Sequence, residues 1–99
     1  DSVTDEMIGR YLADSVKDFE RAWWAHQAVF EHDMGKRLGS LEQKAMVICV
    51  DDDIRKPTLR ARECIKTGEF VDKPEWGHWF LEVHTAEAAA IVRNFLDKL

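Results

Sequence analysis

Residues 44–53 read KAMVICVDDD. The apolar run over residues 45–50 has no polar alternation, which is the pattern of a strand covered on both faces. The acids at 51, 52 and 53 end it abruptly. Pro57 and Thr58 then open a short helix to about Lys66, and Thr67-Gly68 stops it. Glu69, Phe70 and Val71 form a second short strand, followed by a loop, DKPEWGHW, over residues 72–79. A last helix is predicted over residues 86–98, with Thr85 as N-cap and Ala88, Ile91, Val92, Phe95 and Leu99 as its buried stripe. Strand, helix, strand with short connections implies a parallel pair joined by a right-handed crossover. Residues 34–99 therefore read as a βαβα arrangement of the α/β class, with few strands for a stable sheet.

Upstream the period changes to that of a helix. Ile8, Leu12, Val16, Phe19 and Trp23 recur at helical spacing, with Thr4 as N-cap and Asp5 and Glu6 in the first turn. A break over residues 15–18 predicts two helices, the second over residues 18–32. Trp24, Ala28 and Val29 lie off the main stripe, so this second helix asks for cover on two sides. Gly35 and Gly39 bracket a helix end or a short helix. Residues 1–33 are thus a helical segment and residues 34–99 a separate βαβα part.

A chain of 99 residues holds at most one small domain or its equivalent, which excludes a multidomain enzyme. Its 45% apolar content is globular rather than disordered. The net charge of −5 makes nucleic acid and anionic membranes poor partners. Arg55, Lys56, Arg60, Arg62 and Lys66 cluster, but Asp51, Asp52, Asp53 and Glu63 offset them, as on a solvated mixed-charge helix face. Cys49 and Cys64 form no disulfide framework and read as buried reduced thiols. Nothing has the ligand spacing of a zinc site, and no motif implies a cofactor. No apolar run is long enough to span a membrane, and the first residues, DSVTDEM, lack the basic and apolar regions of a signal peptide. The cytoplasm is the expected compartment. The absence of an initiating Met reads as a trimmed or excised product.

Two groups carry chemistry in combination. Asp51, Asp52 and Asp53 stand at the carboxyl end of the first strand, where functional residues of open α/β sheets gather. Taken alone they also read as a polar loop with a helix N-cap. His78 lies in the Trp-Gly-His-Trp turn after the second strand, where it reads equally as a packed imidazole or a base. Together, an acid and a His after adjacent parallel strands converge on one sheet edge. There a carboxylate fixes the imidazole tautomer and stabilises the imidazolium. A nucleophile is missing. No G-x-S-x-G occurs, and Ser2, Ser15 and Ser40 lie in poor contexts for a nucleophile elbow. His26 and His32 share no helix face well, and His84 reads as an exposed residue before the Thr85 cap.

The stretch MVICVDDDIRKPTLRA…FVDKPEWGHWFLEVHTAEAAAIVRNFLDKL resembles the C-terminal part of an α/β-hydrolase fold enzyme. In that family the order is nucleophile, acid, His. The resemblance covers residues 34–99, and residues 4–32 are more loosely similar to the end of the family's cap. It implies that Asp53 is the triad acid, with Asp52 as the alternative because Val50 replaces the usual Gly of the acid turn, and that His78 is the base. It further implies a small-molecule ester or similar acyl substrate, with Trp23, Trp24, Trp79 and Phe80 lining an apolar pocket unless they are core packing. The elbow, the oxyanion-hole loop and most of the sheet are absent. The expected role is therefore the C-terminal segment of a Ser-dependent hydrolase whose nucleophile comes from another polypeptide portion, inactive by itself. An Asp nucleophile, as in an epoxide or haloalkane hydrolase, stays open. The competing expectation is a non-catalytic assembly fragment that uses its open strand edge to bind itself or a partner.

Overall fold

The computed structural model describes residues 2–17 and 19–99, in two compact units, Asp1–Asp33 and Met34–Leu99. The first unit holds helices α1 (Asp5–Val16) and α2 (Ala22–Glu31). Thr4 caps α1 as expected, its Oγ1 accepting the Met7 N–H at 3.3 Å. Helix α2 starts later than the pattern predicts, because residues 19–21 form a turn, and its N-cap Arg21 makes no side-chain capping hydrogen bond. The predicted start at Asp18 lies outside the described residues. Neither helix buries a residue, and Phe19, Trp23, Trp24, Val29 and Phe30 are all exposed.

The second unit runs α3 (Met34–Gly39), β1 (Ala45–Asp51), α4 (Arg55–Cys64), β2 (Gly68–Gly77), α5 (Phe80–Val83) and α6 (Thr85–Leu96). The two strands form one parallel sheet connected through α4. This is α/β architecture in its smallest form. Helix α4 packs on β1, and Cys49 is fully buried. Val50, Trp76 and Ala88 form a second cluster, flanked by Ile48, Phe80 and Ile91. Successive residues of a strand point to opposite faces, so Cys49 serves one layer and Val50 the other.

Gly68 starts β2 with φ +146°, a conformation that favours glycine. A Cβ there would lie 1.9 Å from the Ala45 carbonyl oxygen, so only glycine admits this approach of the strands.

Several expectations are corrected. Strand β2 runs to Gly77, so most of the predicted 72–79 loop is strand. Its charged residues hide the strand pattern: Asp72 pairs with Arg55 at 2.9 Å across to α4, and Lys73 lies 4.8 Å from the Trp76 ring centre within the strand. The register passes from Val50↔Lys73 to Asp51↔Gly77, leaving Pro74, Glu75 and Trp76 in a bulge. Proline cannot donate to the ladder, and the bulge delivers Trp76 to the core. Helix α4 begins at Arg55 rather than Pro57 and ends at Cys64, whose side chain is only partly buried. Thr85 is not an N-cap: its hydroxyl donates back to the Leu81 and Glu82 carbonyls at 2.7 and 3.1 Å. Helix α6 buries Ala88, with Ile91 and Phe95 partly covered, while Val92 and Leu99 remain exposed. No helix among the described residues is long and apolar enough to cross a membrane.

Candidate active site at the carboxyl ends of the strands

The register sets Asp51 beside Gly77, so both strands end at the same edge. The acidic turn and His78 leave the sheet there side by side. Within the turn the three acids differ. Asp52 is partly buried, and its Oδ1 accepts the Ile54 N–H at 3.1 Å. Its carbonyl accepts the Arg55 N–H at 3.1 Å, so Asp52 builds the turn that starts α4. Asp51 and Asp53 are exposed. His78 is also exposed, its ring meeting Trp79 edge-on with centres 6.1 Å apart. No hydrogen bond or ion pair joins His78 to any of the three acids. The backbone brings the two groups to one edge without joining their side chains.

The aromatic candidates fall into different settings. Trp23 and Trp24 stand in the first unit, edge to face at 6.1 Å and both more than half exposed, with the Arg21 guanidinium 5.8 Å over Trp24. Trp79 and Phe80 belong to the second unit and are partly buried. Phe80 stacks on Trp76 at 5.6 Å, so one face of its ring is already committed to the core. A groove of the unit lies elsewhere. It has a volume of about 530 Å³ and runs along α6 between Leu81, Ala88, Val92 and Leu96.

Two features escaped sequence reasoning. Beneath the carboxyl edge, Arg55 Nη1 reaches Asp72 Oδ1 at 2.9 Å, Cys49 Sγ at 3.4 Å and the Val50 carbonyl at 3.3 Å. This guanidinium ties α4 to both strands rather than belonging to a solvated face. The hydrogen bond that Arg55 donates to Asp72 raises the Arg55 pKa further. Burial pushes the Cys49 thiol up, the Arg55 charge pulls it back, and Asp72 and Asp52 add to the rise. The parallel register, which sets Cys49 opposite Asp72, was the signal that could have revealed the cluster. The second feature is His84, expected to be exposed. Its ring instead stacks on Trp76 with centres 5.0 Å apart, and its Nδ1 is buried without a hydrogen-bond partner. The Glu87 carboxylate stands 3.6 Å from that nitrogen, beyond hydrogen-bonding distance.

Among the described residues, no three His, Cys, Asp or Glu side chains group as a metal site. No known protein family, curated protein or solved structure matches the chain.

Proposed function

We propose that the chain is the C-terminal segment of an α/β-hydrolase acting on ester or similar acyl substrates. The supporting observation is the parallel β1–β2 pair with the acidic turn and His78 leaving the same edge. Asp53 is the acid, since Asp52 is occupied as the turn residue before α4. Its carboxylate would orient His78 and stabilise the imidazolium, and His78 would take the proton from a Ser supplied by another polypeptide portion. Within the second unit, Trp79 is the first candidate for lining an acyl pocket, since Phe80 is partly committed to the core. A cytoplasmic setting is part of this reading, and the two free thiols are in keeping with it.

A native mass spectrum of the purified material tests this first. The expected species is a one-to-one complex with a larger chain bearing a nucleophile elbow. In that complex His78→Ala should lower ester turnover by about 10³-fold or more while leaving the complex intact. Asp53→Asn should act strongly, and Asp52→Asn should act mainly through stability. Turnover indifferent to His78 would overturn the reading.

A second reading, assembly through the open sheet, is favoured by the amount of apolar surface left uncovered, including Ile54, Leu81, Leu96 and Leu99 in the second unit. Self-association of the chain alone, without a larger partner, is its expected signature.

A further inference from the structure

Strand β1 is paired on one side only. The Ala45 N–H donates to the Thr67 carbonyl at 3.1 Å. The alternation of a parallel ladder then turns Ala45, Val47 and Cys49 toward β2, and Met46, Ile48 and Val50 outward. Arg55 meets the Val50 carbonyl. Among the described residues, no turn, loop or side chain bonds to the outward amides and carbonyls of Met46 and Ile48.

The two free edges are unlike. The β2 edge carries Glu69, Asp72, Lys73, Pro74 and Glu75, the charges and proline that guard an edge against pairing. Residues 45–50 of β1 carry no charge and no proline. Only the β1 edge is unguarded.

We infer that β1 pairs antiparallel with β1 of a second copy about a twofold axis, joining two sheets into one of four strands. A strand edge that meets its own copy across a twofold must run antiparallel. Centred on Ile48, the pairing sets Ile48 opposite Ile48, Val47 opposite Cys49 and Met46 opposite Val50. The pairs from Met46 to Val50 are apolar, Ala45 stands opposite Asp51, and no like charges face each other. The Val50 carbonyl keeps a second lone pair for the partner's Met46 amide beside its bond to Arg55. Residues 34–99 hold 11 Lys and Arg against 11 Asp and Glu, so no net charge keeps two such units apart. A second copy thus fits this edge without alteration. Such pairing presupposes the association reading and specifies its surface.

Amide hydrogen exchange on the intact chain, read residue by residue across a dilution series alongside native mass spectrometry, tests it. Dimers are expected at high concentration, with the Met46, Ile48 and Val50 amides slowing more than about tenfold as dimer forms. The Val47 and Cys49 amides, already bonded to β2, should change less. Ile48→Pro removes an outward N–H and spares the β2 ladder, so it should give a folded monomer. If that variant does not fold, the exchange pattern of the unmodified chain still decides. A monomer at every concentration would overturn both the edge pairing and the association reading. An oligomer with freely exchanging Met46, Ile48 and Val50 amides would overturn the edge pairing alone. Protection of those amides only by a different, larger chain would overturn the second copy as the occupant.

Discussion

Trp76→Ala should nearly unfold the second unit. Trp76 is 1% exposed and is the largest of the fully buried side chains. It stacks on Phe80 and His84, with Lys73 over its ring. Burying an indole removes roughly 200 Å² from water, worth about 5 kcal/mol at 25 cal/mol per Å². Alanine keeps a small part of that, and the cavity left behind costs some back, which gives a loss of about 4 kcal/mol. A small domain has a total stability of only about 5 kcal/mol at the low end of the usual range. With a urea dependence of roughly 1 kcal/mol per M, the unfolding midpoint should fall by about 4 M or be lost altogether. The assay is urea titration followed by far-UV circular dichroism and by the fluorescence of the remaining tryptophans. Trp23→Ala is the control. That residue is 57% exposed, and its loss should move the midpoint by less than about 0.5 kcal/mol equivalent. A Trp76→Ala loss below about 1 kcal/mol, or a Trp23→Ala loss as large as that of Trp76→Ala, would refute the assignment of Trp76 as the centre of the core.

Three other outcomes follow from the packing. Gly68→Ala forces a methyl to 1.9 Å from the Ala45 carbonyl oxygen, so β1 and β2 must separate at that end; amide exchange at Ala45 should accelerate, and an unchanged rate would contradict the geometry. The buried Cys49 thiol has its pKa raised in the folded state, so its contribution is complete below the unfolded thiol pKa and is lost as pH rises through the folded value. Stability should therefore fall in the alkaline range beyond ordinary thiol ionisation, and Cys49→Ala should remove that component. At neutral pH a thiol reagent should modify partly exposed Cys64 well before Cys49.

The apolar run over residues 45–50 determined β1 by itself, because a segment without polar alternation can only be covered on both faces. The short connection then dictated the parallel partner, and Thr4 declared the start of α1 through its hydroxyl. Asp53 and His78 were placed at one sheet edge by that topology alone. The tertiary structure decided what depends on neighbours that the local pattern does not disclose. Strand β2 was illegible beyond Val71 because Asp72 and Lys73 look like loop residues until Arg55 and Trp76 meet them. Trp76 looked like one aromatic among many until the Pro74 bulge carried it into the core. His84 looked like an exposed residue before a helix until the indole gave its ring a stacking surface. Local pattern reports the covering that a segment requires, whereas a charged or aromatic residue takes its role from the neighbour that the fold brings to it.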